Sequence, residues 1–184
     1  MGPFVGVGTR PFVAGCLRLS GVGEGVDVIE EAVDVAAPAG VVYGLLADLP
    51  RMGEWSPECR GATWRRGFDH AEVGASFIGH NGRGIRRWNT QGKVLTAETG
   101  RELAWDVRAV GLPDSHWGYR IEPRPDGGCR VTEWTEDRRG GLLKLVGPLA
   151  SGVKDRTAFN RESMRVTLAR LKIAAEAAAS ADPG

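Results

Sequence analysis

The sequence predicts an α+β domain: a seven-stranded antiparallel sheet, two short helices after its first strand, and one long C-terminal helix. Between residues 59 and 137 apolar positions alternate, and glycine-bearing turns separate the segments where helices would otherwise stand. Between 164 and 178, Met164, Leu168, Leu171, Ala175 and Ala178 step by four, three, four and three. That is the period of a helix with one apolar face. A sheet and a lone amphipathic helix each carry an apolar face, and each must cover the other.

Residues 26–36 read as the first strand, with β-branched Val26, Val28, Val33 and Val35. Their parity slips at Glu30-Glu31, which suits a bulge. Pro38 stands where the first residue of a helix belongs, and Val41, Val42, Leu45, Leu46 and Leu49 give 38–48 an apolar face. Pro50 ends that helix, and a second short turn carries Met52 to Trp55 before Pro57. Strands follow near 59–66, 74–81, 86–98, 101–109, 116–123 and 128–137. Glu98-Thr99-Gly100-Arg101 and Pro125-Asp126-Gly127-Gly128 supply the glycines that tight hairpins need, while Gly82 and Gly84 break the pair around them. Leu142, Leu145, Val146, Leu149 and Val153 begin a helical face that Gly147-Pro148 and Gly152 kink. The long helix ends near Ala179. The domain thus spans 26–179. Residues 1–25, with seven glycines, read as a flexible leader, and 180–184 as a disordered tail.

Composition narrows the function. The 184 residues carry a formal net charge of +1, which argues against a nucleic-acid binder. Cys16, Cys59 and Cys129 are scattered, with no zinc spacing and no disulfide framework, so reduced thiols in a cytoplasmic protein are expected. Val13-Ala14-Gly15-Cys16 resembles a lipoprotein cleavage box, but Arg10 and Pro11 interrupt the apolar run such a signal needs. No stretch approaches the ~18 apolar residues of a membrane span. The glycine-rich Gly79-His80-Asn81-Gly82-Arg83-Gly84 lacks the Lys-Ser/Thr of a phosphate loop, and neither GxSxG nor HExxH occurs. No cofactor is expected. His80 and His116 fall on the outward parity of their strands, so no metal site is expected either. Tryptophan is the anomaly: it supplies six of thirteen aromatic residues.

Three stretches carry a family resemblance. They are Ala37-Pro38-Ala39-Gly40-Val41-Val42-Tyr43-Gly44-Leu45-Leu46-Ala47-Asp48-Leu49 with Trp55-Ser56-Pro57-Glu58; Gly74-Ala75-Ser76-Phe77-Ile78-Gly79-His80-Asn81 with Trp88-Asn89-Thr90; and Trp117-Gly118-Tyr119-Arg120-Ile121 with Gly127-Gly128-Cys129-Arg130-Val131-Thr132-Glu133. In order and spacing they resemble actinobacterial members of the SRPBCC (START/Bet v 1-like) superfamily, which includes polyketide cyclase/dehydrase-like and lipid-transfer proteins. The resemblance covers roughly 26–178. It implies a helix-grip fold, with the sheet curled around the C-terminal helix and a cavity for a hydrophobic ligand between them.

Strand alternation then selects the residues that face the helix. Phe77 and Asn81, Trp88 and Thr90, Trp105, and Trp117 and Tyr119 fall on the inward parity. Asn160, Met164 and Leu168 share the inward stripe of the helix with Leu171. Residues 128–137 leave two registers open: one buries Glu133, the other Trp134. The candidate ligand-binding set is therefore Phe77, Asn81, Trp88, Thr90, Trp105, Trp117, Tyr119, Glu133, Asn160, Met164 and Leu168. An apolar pocket with a few convergent polar groups suits a small molecule, although Trp105 and Trp117 equally suit a plain core. Trp55-Ser56-Pro57-Glu58 reads either as a lid or as a plug, and Trp64 cannot be placed.

The leading expectation is binding, or transport, of a hydrophobic small molecule or lipid by a monomer or homodimer. The alternative is a polyketide cyclase/dehydrase-type enzyme, with Glu133 as base, Tyr119 as acid and Asn81 polarising a carbonyl. Residues 138–172 hold nine basic and two acidic residues. That balance suits peripheral membrane contact, or simply the solvated face of the helix.

Overall fold

The computed structural model describes residues 28–181. The leader read over 1–25 and positions 182–184 of the tail lie outside the described residues. Seven strands run β1 (Val28–Val35), β2 (Cys59–Trp64), β3 (Ser76–Arg83), β4 (Arg86–Glu98), β5 (Glu102–Ala109), β6 (Leu112–Pro123) and β7 (Cys129–Asp137). They form one antiparallel sheet in the order β1-β7-β6-β5-β4-β3-β2. Helix α1 (Ala39–Ala47) and a 3-10 turn (Leu49–Glu54) join β1 to β2. Helices α2 (Gly141–Ser151) and α3 (Arg156–Ala181) follow β7. This is the helix-grip α+β architecture. Register shifts between Cys59 and Ala62, Val94 and Thr96, and Val107 and Arg108 add the bends that curl a sheet.

Three local expectations need correction. Strand β1 has no bulge: Val28 to Val35 pair without interruption with Glu136 to Cys129. Glu31 keeps the inward parity, and its carboxylate is taken up by Arg161 and Arg165 of α3 at 3.3 and 3.0 Å. Gly82 does not break β3, which continues to Arg83 and turns only at Gly84 and Ile85. Strand β6 starts at Leu112, four residues early, because Leu112 and Pro113 still pair with β5.

The core lies on the inner face. Val35, Val42, Leu46, Leu49, Val94, Leu103, Val131, Met164 and Leu171 are almost wholly buried. Four aromatic rings cross the sheet: Trp64 meets Phe77 edge to face at 5.7 Å, Phe77 meets Trp105 edge to face at 6.2 Å, and Trp105 lies tilted against Tyr119 at 6.0 Å. Strand β4 has no side chain in this path. It presents Gly92, and the Phe77 ring lies on that glycine where a Cβ would collide with it.

Helix α2 departs most from the pattern. Leu143 is buried, but Leu142, Leu145 and Leu149 of the predicted face point to solvent. Val153, just beyond the helix, is buried.

Candidate functional site

The β6–β7 register places Tyr119 opposite Glu133, and the β1–β7 register places Glu133 opposite Glu31. Inward parity carries Glu133 into the interior, where it is only 4% exposed. Trp134 therefore takes the outer face. It lies over Gly118 and meets the His116 ring at 4.8 Å. The Tyr119 hydroxyl donates to Glu133 Oε1 at 2.9 Å. Oε2 of the same carboxyl is buried and has no hydrogen-bond partner.

Burial dominates the electrostatics here. Desolvation pushes the Glu133 pKa up to about 8 against the smaller opposing effect of the Tyr119 hydrogen bond. Burial, then the neighbouring Glu133 charge, raises Tyr119 well above the usual phenol range. At neutral pH the pair is a neutral acid holding a neutral phenol. Its outer oxygen is then an O–H donor without an acceptor.

The next row of the sheet toward its upper end runs Ile29, Thr135, Trp117 and Trp105. There a cavity of about 30 Å³ opens, lined by Ile29, Ser115, Trp117, Thr135, Arg156 and Asn160 among others. It has room for one or two waters. Trp117 Nε1 donates to Ser115 Oγ at 2.9 Å, and Ser115 in turn donates to Asp114 at 3.0 Å. Asn160 Oδ1 is buried beside them without a partner. Arg156 grips Glu58 through two hydrogen bonds of 2.7 and 2.6 Å. This pair ties the start of α3 to the segment before β2.

The structure brings some candidate residues together and separates others. Tyr119 and Glu133 are bonded. Asn81 is not with them: its Nδ2 donates to Thr90 Oγ1 at 3.1 Å, on strands away from β6 and β7. Phe77, Trp105, Met164 and Leu168 are buried as packed core, while Trp88 is half-buried near the β3–β4 turn. Trp117 and Asn160 line the small cavity. Trp55 is 1% exposed with its Nε1 on the Met52 sulfur at 3.1 Å, so it fills the end of the sheet. Ser115, Thr135 and Arg156 were missed. Ser115 and Thr135 share parity with Trp117 and Glu133, and Arg156 precedes Asn160 by one helical turn. Among the described residues no group of three His, Cys, Asp or Glu side chains is placed to hold a metal ion, and no helix is long and apolar enough to cross a membrane.

Comparison with known proteins gives the family. Residues 26–176 match the family described as polyketide cyclase / dehydrase and lipid transport. No curated protein sequence matches the chain. A polyketide-cyclase-like protein of Corynebacterium glutamicum, solved by NMR, is 30% identical, with a TM-score of 0.50 over 79% of this chain and 88% of that one. A Deinococcus radiodurans crystal structure shares the fold at 16% identity and a TM-score of 0.58, covering 83% of this chain and 98% of that one. The di-domain ARO/CYC StfQ from the steffimycin biosynthetic pathway does so at 15% identity and a TM-score of 0.62, covering 83% of this chain and 51% of that one. With its seven-stranded sheet, gripping helix and family match in agreement, the chain belongs to the polyketide cyclase / dehydrase and lipid transport family of the SRPBCC superfamily.

Proposed function

We propose that the protein binds a hydrophobic small molecule that carries an accepting oxygen, such as an aromatic ketone, and orients it on the Glu133–Tyr119 pair. The unsatisfied Glu133 Oε2 carries this reading. A buried polar group without a partner costs roughly 1–3 kcal/mol. A carbonyl oxygen on a bound molecule would satisfy it, and the aromatic row from Phe77 to Tyr119 would hold the apolar body. The 30 Å³ cavity is far smaller than the ~300 Å³ of a typical ligand site. Neither Glu133 nor Tyr119 lines it, so binding requires the side chains between the cavity and the pair to move. The family description and the relation to StfQ support a ligand of this class.

Calorimetric titration tests the reading with 2-acetonaphthone and its oxygen-free analogue 2-ethylnaphthalene. Saturable binding of the ketone, weaker for the hydrocarbon and weakened by Glu133→Leu, is the expected result. Equal affinity for both probes, or none for either, removes the reading.

One observation favours an enzymatic role in addition. A carboxyl with a pKa of about 8 can both give and take a proton near neutral pH, which is what general acid–base work at a carbonyl α-carbon requires. Asn81 is too poorly placed to share in it, being bonded to Thr90. A Glu133→Gln variant that binds a poly-β-keto thioester normally but no longer cyclises or dehydrates it would establish catalysis. Unchanged turnover would exclude Glu133 from it.

A further inference from the structure

The upper end of the sheet carries a surface that the ligand site does not explain. Antiparallel pairing puts the β3–β4 turn, the β5–β6 turn and the end of β7 at the same end. Helix α2 follows β7 there, and its C-terminus touches the β3–β4 turn, where Arg83 Nη1 donates to the Gly152 carbonyl at 2.7 Å. Each of these three tips is apolar and exposed. Ile85 is 96% exposed, Val110 88%, Leu145 76% and Leu149 80%. Leu142, Leu145 and Leu149 lie on one face of α2, so the helix turns its apolar stripe to solvent while burying Leu143.

The unpaired charges around these tips are mostly cationic, Asp114 and Asp155 being acids there that form no ion pair among the described residues. Arg83, Arg87 and Arg108 donate hydrogen bonds only to backbone carbonyls, those of Gly152, Gly84 and Arg86, and Gly111, with Arg83 also lying over the Phe159 ring at 5.3 Å. Arg86 lies against Gly152. With Lys144 and Lys154, none of these six cations forms an ion pair among the described residues. The nearby acids Asp106 and Asp137 are neutralised by Arg138 and Arg139. Apolar groups on projecting tips, rimmed by free cations, fit a fluid anionic interface better than a rigid partner that must offer a matching hollow.

We infer that this end docks on an anionic lipid surface, with Ile85 and the Leu142–Leu145–Leu149 stripe entering the interface and the surrounding arginines and lysines meeting lipid phosphates. The inference stands on this surface alone and does not need the ligand reading. The two are compatible in space, because the small cavity beside Asn160 lies at the same end.

Flotation of the full chain with vesicles tests it. Phosphatidylcholine vesicles containing phosphatidylserine should bind at least about tenfold more tightly than phosphatidylcholine alone, and added salt should reverse the difference. Leu145→Asp with Leu149→Asp should reduce binding about tenfold or more, as should Ile85→Asp alone at a tip that packs on nothing. An unchanged thermal midpoint in these variants excludes misfolding as the cause. No partition into anionic vesicles overturns the inference. So does a concentration-dependent dimer that the same substitutions abolish, since a second copy then covers the stripe.

Discussion

Glu133 stands directly opposite Glu31 in the β1–β7 ladder, yet the two carboxyls are stabilised in opposite ways. Like charges at such a position repel. Glu31 lies on the edge strand and stays paired with Arg161 and Arg165. Glu133, one strand inward, is buried on Tyr119 with its pKa raised to about 8. One strand of the sheet thus separates a solvated ion pair from a neutral acid.

The neutral acid makes stability depend on pH. Its pKa is about 8 in the folded protein against 4.5 for an ordinary glutamate. Below 4.5 both states hold the proton and the burial costs nothing extra. Between 4.5 and 8 the folded state keeps a proton the unfolded state has lost, so stability falls as pH rises. Above 8 the loss is complete, on the order of 5 kcal/mol at about 1.4 per unit. Urea unfolding across this range should show wild type losing stability relative to Glu133→Gln. Parallel curves would mean that Glu133 ionises normally in the folded protein.

Gly92 is fixed by its neighbour across the ladder. A Cβ there would overlap the Phe77 ring, so Gly92→Ala should cost roughly 1–3 kcal/mol by urea unfolding, as overpacked cores do. Phe77→Leu should absorb part of that cost when the two are combined, because the residues are in contact. Simple additivity would place the strain elsewhere.

Trp55 decides between a lid and a plug. As a fully buried side chain it should cost about 3–5 kcal/mol when cut to alanine. A loss below about 1 kcal/mol would suit a segment that opens freely.

The succession of strands and the long helix were legible in the sequence, because alternation and helical period are properties of the chain alone, and the family resemblance was legible in its three motif stretches. The inward parity of Trp105, Trp117 and Tyr119 was legible for the same reason. What was not legible depends on partners distant in sequence. The register of β7 decides between Glu133 and Trp134, and it is set by pairing with β1 and β6. The apparent slip at Glu30-Glu31 is a carboxylate held by arginines 130 and 134 residues away. Asn81 shares parity with the site but not its neighbourhood, since periodicity fixes a face and not a distance. Helix α2 has an apolar face by period, and only the tertiary structure shows that the face points outward.

The neutrality of Glu133 is the centre of this account, and ligand affinity on either side of its pKa tests it most directly. Calorimetry with 2-acetonaphthone at about pH 6.5 and about pH 9.5 brackets the value of about 8. The account predicts saturable binding at the lower pH, weakened tenfold or more at the higher one as Glu133 loses its donor proton, and a Glu133→Gln variant whose affinity does not change between them. Equal wild-type affinity at both pH values, or no binding at either, would contradict it.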